Sequence, residues 1–187
     1  MQITHIVGSP RKNSYSRQIA TRFCKTAEKK GAEVNTYNLN TMDYKACQAC
    51  FSCKTGSKMC VINDELKSVL EEIDQTDTLV VSSPIFCMDV PGPVKTFFDR
   101  LSSYLDAHDK DALPKSQLSK GKKAVFVLAQ GAGESLFREV YEKYQFYFNL
   151  LGFSETHVVR AVGLSGSEQG LDPELLNRAE NLALNMV

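Results

Sequence analysis

Short apolar runs alternate along the chain with stretches in which apolar side chains return every three or four positions. The runs are Gln2–Val7, Glu33–Tyr37, Thr78–Ser82, Lys123–Leu128 and Thr156–Ala161. The helical periodicity falls at 15–29, 64–74, 91–105, 134–151 and 173–185. Five strand–helix alternations predict a parallel sheet covered on both faces and joined by right-handed crossovers. The strands are rich in Val and Ile, as doubly covered strands need to be. Asp172-Pro173-Glu174 reads as a helix cap followed by proline at the first helical position. In the stretch 134–151, Phe137, Tyr141, Tyr144, Phe148 and Leu151 lie at helical spacing. They read as a core or subunit-contact stripe, and Phe146, Tyr147 and Leu150 widen the apolar surface, which favours an oligomer.

Two stretches break the alternation. Residues 41–63 hold four cysteines and read as an insertion within one domain. Residues 106–121 are polar and unpatterned, an exposed connection that includes His108. The length of 187 residues suits a single domain with a sizeable core. Lys and Arg total 22 and so do Asp and Glu, so no basic face points to nucleic acid. No apolar run reaches membrane-spanning length, and residues 1–7 read as a strand instead of a signal peptide. The expectation is a cytoplasmic protein whose thiols stay reduced.

The first strand leads into Gly8-Ser9-Pro10-Arg11-Lys12-Asn13-Ser14-Tyr15-Ser16 and then into a helix. Such a loop is an anion site: free backbone N–H groups and the positive end of the helix dipole converge on one spot. Ser9, Ser14 and Ser16 add hydroxyl donors, and Arg11 adds a forked charge. The loop matches neither the dinucleotide nor the P-loop glycine pattern, and a terminal phosphate monoester suits it best. A plain Ser or Asn helix cap is the competing reading. Two further loops follow strands of the same sheet, Ser82 to Gly92 and Ala129 to Glu134. In an open parallel sheet all three converge beyond the carboxyl ends of the strands. The middle loop mixes apolar side chains with freed amides and suits a flat ring. Gly131 and Gly133 permit close backbone approach.

Gly8-Ser9-Pro10-Arg11-Lys12-Asn13, Ser83-Pro84-Ile85-Phe86 and Lys95-Thr96-Phe97-Phe98-Asp99-Arg100 together resemble the NADPH-dependent FMN reductase family, over residues 1 to about 150. The resemblance implies a flavodoxin-like doubly wound five-stranded parallel sheet of order 2-1-3-4-5 and an FMN cofactor. It implies that Ser9, Arg11, Ser14 and Ser16 hold the phosphate. Pro84, Ile85, Phe86, Cys87 and Met88 would line the ring and ribityl chain, with Gln130, Gly131, Ala132, Gly133 and Glu134 closing the other side. Glu134 also reads as a cap for the helix that follows it. No acid or base is demanded of the protein, and no catalytic side chain is assigned. The chain departs from the family at Ser14-Tyr15-Ser16 and at Phe86-Cys87-Met88-Asp89.

Cys47, Cys50, Cys53 and Cys60 lie within fourteen residues. The spacing resembles a ferredoxin motif with a longer last gap and no following proline. It resembles more closely the iron–sulfur flavoprotein branch of the same family, in which such cysteines hold a [4Fe–4S] cluster. Zinc, free or partly oxidised thiols, and a disulfide formed after purification are the alternatives. Cys24 reads as a small core hydrophobe and Cys87 as a spacer in the flavin loop. His5 and His157 read as structural. Asp99-Arg100 reads as a structural pair or a subunit contact.

The function implied is electron transfer from NAD(P)H through FMN to a flavin, a quinone or another small acceptor. An electron carrier using FMN and a cluster fed by ferredoxin is the alternative, and a non-catalytic zinc-bearing module is a third. No arginine can be assigned to a 2′-phosphate by spacing, so the choice between NADH and NADPH stays open. The family implies a homodimer or homotetramer.

Overall fold

The structure, a computed structural model, describes residues 1–57, 59–106, 111–164 and 170–187. Five parallel strands form the sheet: β1 Gln2–Val7, β2 Glu33–Asn38, β3 Thr78–Pro84, β4 Lys123–Ala129 and β5 Glu155–Ala161. Their spatial order is β2-β1-β3-β4-β5, the order implied by the sequence resemblance. The helices are α1 Tyr15–Lys29, α2 Ser52–Thr55, α3 Glu65–Gln75, α4 Gly92–Leu101, α5 Arg138–Leu150 and α6 Pro173–Met186.

Period-two alternation divides the central strands between two cores. Leu79, Val81, Ala124, Phe126 and Leu128 face one way and pack with α3, α4 and α5. Val80, Val125, Val127 and Ala129 face the other way and pack with α1 and α6. The aromatic stripe of α5 is core: Tyr144 and Phe148 are buried, and Phe98 meets both rings at 4.6 and 5.5 Å between centroids. Phe146 is 56 % exposed.

Three expectations are corrected. α5 begins at Arg138, not at residue 134, because the carbonyls of Ala132, Gly133, Glu134 and Leu136 are taken by side chains. Gln130 Nε2 donates to Gly133 O at 2.8 Å and Leu136 O at 3.1 Å, and Arg160 Nη2 donates to Glu134 O and Leu136 O at 3.0 Å. Phe137, at φ 61°, then turns the chain into the helix, so Glu134 caps nothing. The stretch 91–105 is a helix only to Leu101, followed by a single 3₁₀ turn. Part of the polar connection pairs: Leu105–Asp106 forms an antiparallel ladder with Lys115–Ser116. His108 lies outside the described residues.

Arg100 does not pair with Asp99, which Lys95 takes instead. The guanidinium is 1 % exposed and forks onto Asp64, Nη1 to Oδ2 at 2.8 Å and Nη2 to Oδ1 at 3.1 Å. It also donates to Lys45 O at 2.8 Å and Ile62 O at 3.3 Å. One buried cation thus ties both ends of the cysteine-rich segment to α4. His5 is a core residue, as its place in β1 implied: it is 2 % exposed, and Nε2 is bonded to Ser82 Oγ at 3.0 Å.

Two outcomes follow. Asp64→Ala leaves the buried Arg100 charge without its carboxylate and costs about 3–5 kcal/mol, read from the urea midpoint; a loss below about 1 kcal/mol would contradict the clamp. Burial, aided by the nearby Arg17 charge, pulls the His5 ring down to about 4. Because the folded value is depressed, the neutral ring's contribution is fully present above the unfolded pKa of about 6.5 and is lost as pH falls toward 4. The His5 ring resonances of the folded protein should therefore stay in the neutral position at pH 5.5.

Candidate functional site

The loops after β1, β3 and β4 are joined to neighbouring strand ends by their first amides. Gly8 N donates to Ser82 O at 2.8 Å, Ile85 N to Ala129 O at 2.8 Å, and Gln130 N to Ala161 O at 2.9 Å. Beyond these strand ends opens a crevice of about 810 Å³, within the range of cofactor sites. Its walls include Ser9, Arg11, Ser14 and Ser16 from the first loop, Pro84, Ile85 and Phe86 from the second, and Gln130 and Gly131 from the third.

The first loop is shaped by a close approach. A Cβ on Gly8 would stand 2.1 Å from Val94 Cγ2 and 3.1 Å from Ser82 O. Only glycine lets the loop lie against β3 and the start of α4. Ser14 then occupies the N-cap position of α1, with φ −66° and ψ 145°, but its side chain makes no capping bond. The Ser14 and Ser16 hydroxyls are both buried and have no hydrogen-bond partner among the described residues. Buried polar groups are otherwise almost always paired. Two unpaired hydroxyls at the positive end of a fifteen-residue helix, beside Arg11, fit a phosphate monoester, and a plain helix cap does not account for them.

The middle loop places its residues unevenly. Phe86 N donates to Asp89 O at 2.7 Å and Asp89 N to Phe86 O at 3.1 Å, closing a two-residue turn. Cys87 and Met88 hold φ 47° and 68° at its tip, a conformation non-glycine residues adopt only at some cost. Both are exposed and do not line the crevice. Ala132, Gly133 and Glu134 also lie off it: the Gln130 and Arg160 side chains pull that backbone aside, and Glu134 lines a neighbouring cavity.

Asn13, Tyr15 and Gln18 join the wall from the first loop and helix turn; their neighbours in sequence already pointed there. Leu164, Gly170 and Leu171 come from the connection after β5, a stretch that the strand and helix patterns had not linked to the site.

The cysteines are not gathered as the spacing suggested. All six are free; Cys47 and Cys50 are exposed, and Cys53 and Cys60 are half-buried. Among the described residues no group of three or more His, Cys, Asp or Glu side chains is placed to hold a metal ion. The reason is local: Ala49 and Phe51 take left-handed conformations, and only Cys53 enters the short α2. The thiols still differ. The Ser52 N–H and hydroxyl hold Cys50 below the ordinary thiol value. Burial pushes Cys53 up against the opposing Lys54 charge, with Cys60 and Cys50 adding to it.

The sequence pattern of the flavodoxin-like fold matches residues 1–183. The chain belongs to the flavodoxin-like fold family. An iron–sulfur flavoprotein of Methanosarcina thermophila is 31 % identical over 100 residues, 54 % of this chain and 52 % of that one. An FMN-dependent NADH:quinone oxidoreductase of Haemophilus influenzae is 28 % identical over 130 residues, 70 % of this chain and 63 % of that one. The chain spans about half the length of the iron–sulfur flavoproteins it matches, 52 % and 47 % for two of them. Among solved structures, an NAD(P)H:quinone oxidoreductase from Methanothermobacter marburgensis superposes with a TM-score of 0.81 over 100 % of this chain and 99 % of that one, at 16 % identity. No helix among the described residues is long and apolar enough to cross a membrane.

Gly8→Ala should lower the thermal midpoint by several degrees, as overpacking against a stiff β-branched side chain costs about 1–3 kcal/mol. Adding Val94→Ala to the same chain should recover part of the loss; no recovery would place the strain elsewhere.

Proposed function

We propose that this protein is an FMN-dependent oxidoreductase that passes electrons from NAD(P)H to a small acceptor such as a quinone, a flavin or an azo compound. The observation that carries the reading is the pair of buried hydroxyls of Ser14 and Ser16, without partners among the described residues and facing the same crevice as Arg11 at the start of α1. These residues would hold the cofactor's phosphate. Pro84, Ile85, Phe86 and Gly131 would flank the ring, and Gln130 would be held by its bonds to the third loop. The chemistry FMN supplies when bound is acceptance of a hydride and release of electrons in pairs or singly. The protein binds, orients and leaves the ring approachable; no side chain need supply a proton. Relatives named FMN-dependent NADH:quinone oxidoreductases support the donor and the acceptor class.

A second reading, an electron carrier fed by ferredoxin, draws on the spacing of Cys47, Cys50, Cys53 and Cys60 and on relatives named iron–sulfur flavoproteins. Both readings place the protein in a reducing cytoplasm. Exposed Phe146 supports a homodimer or homotetramer.

Protein purified without oxygen should show structured flavin bands, and NADH or NADPH should bleach them. Bands over a broad shoulder that dithionite removes, with ferredoxin and not a nicotinamide as reductant, would select the second reading. The Ser14→Ala/Ser16→Ala pair should weaken FMN binding about 100-fold, since each charge-assisted bond contributes roughly 1.5 kcal/mol or more. Unchanged FMN affinity in that variant would overturn the phosphate assignment.

A further inference from the structure

Beside the crevice, at the open edge of the sheet, lies a second cavity of about 490 Å³ between α5, β5 and α6. Three arginines line it from three elements: Arg138 at the first residue of α5, Arg160 in β5 and Arg178 in α6. Leu164 lines both this cavity and the crevice, so the two adjoin. Arg160 is fixed in place. Its Nη2 donates to Glu134 O and Leu136 O at 3.0 Å and to Gln130 Oε1 at 3.3 Å, and its guanidinium lies 4.7 Å from the centroid of the Tyr141 ring. Its buried Nε has no acceptor among the described residues. Arg138 and Arg178 are exposed and have no ion-pair partner among the described residues. Two carboxylates, Glu134 and Asp172, share the cavity, but Asp172 is engaged as the cap of α6, accepting from Glu174 N at 2.9 Å.

We propose that this cavity binds the 2′-phosphate of NADPH while the nicotinamide end of the same molecule lies in the crevice, which makes the arginines the residues that select NADPH over NADH. The inference rests on the reading of a nicotinamide as electron donor. A phosphomonoester presents three free oxygens and close to two negative charges. Three guanidinium charges on three elements, two of them on exposed side chains without an ion-pair partner among the described residues, match that group better than a bridging pyrophosphate, whose phosphorus atoms each offer two free oxygens and one charge. NADH carries a neutral hydroxyl at the same position and gains nothing from the arginines. Gln130 links the two spaces through a hydrogen bond: it lines the crevice and accepts from Arg160, which lines the cavity.

The test is calorimetry on the protein as purified, at low salt, with 2′,5′-ADP, 5′-AMP and inorganic phosphate as probes. 2′,5′-ADP should bind at least tenfold tighter than either of the others. Arg138→Ala and Arg178→Ala should each weaken it about tenfold, the effect expected for one charge-assisted contact. FMN affinity should not change, because neither residue lines the crevice. Equal affinity for 2′,5′-ADP and 5′-AMP, indifference to both substitutions, or phosphate binding as tightly as 2′,5′-ADP would overturn the proposal. Flavin bleaching by NADH and NADPH, measured separately, keeps the two readings apart. Arginine-dependent 2′,5′-ADP binding without bleaching by either nucleotide would remove the donor and keep the site. Bleaching by both with equal KM, unchanged in Arg178→Ala, would remove the site and keep the donor.

Discussion

The crevice depends on how closely the chain can pass at Gly8. There the loop leaving β1 donates to Ser82 O of β3 while lying against Val94 of α4, in a space that has no room for a Cβ. The contact joins the first loop to the strand that carries the second. It sets the direction in which α1 starts, and therefore where the hydroxyls of Ser14 and Ser16 lie. Asn40, in the turn after β2, supports the same spot by donating to Gly8 O at 3.2 Å. Without that approach the loop would stand off the sheet, and its free amides would meet water instead of a shared cavity.

The rest of the site follows from the topology of a parallel sheet. All five strands end at one edge, so every loop on that edge starts from a strand end held by one or two neighbours. The ladder of amide bonds from each loop to the neighbouring strand carries this support outward. Such a platform can leave two buried hydroxyls unpaired, because the stability lost there is recovered in two cores packed on opposite sheet faces. The Arg100 fork extends the same order to the segment least able to fold alone. The described residues of 45–64 hold one helix of four residues, and the two ends of the segment converge on a single buried guanidinium. Between those anchors the cysteines remain near solvent.

Much was determined by the sequence alone. Period-two and period-3.6 patterns located all five sheet strands and five of the six helices, missing only the four-residue α2, because the burial of each long element is written into the spacing of its own apolar side chains. The Gly8–Ser16 stretch could be read as a loop rich in donors at a helix start, because its residue types and its place between strand and helix are local properties, and its side chains do line the crevice. Asp172-Pro173 marked the start of α6, and the cap bond is present. The tertiary structure alone decided what depends on residues far apart in the chain. The end of β5 reached over to take Glu134 O and Leu136 O through Arg160, which delayed α5 and moved Ala132, Gly133 and Glu134 off the crevice. Arg100 chose Asp64, 36 positions away, over its neighbour Asp99, because only Asp64 is buried with it. Among the described residues the even spacing of Cys47, Cys50 and Cys53 does not gather three ligands placed to hold a metal ion, and left-handed turns at Ala49 and Phe51 direct the backbone there. Arg138, Arg160 and Arg178 share no motif. They meet because β5 is the edge strand and α5 and α6 flank it on opposite faces, a juxtaposition that exists only once the sheet has formed.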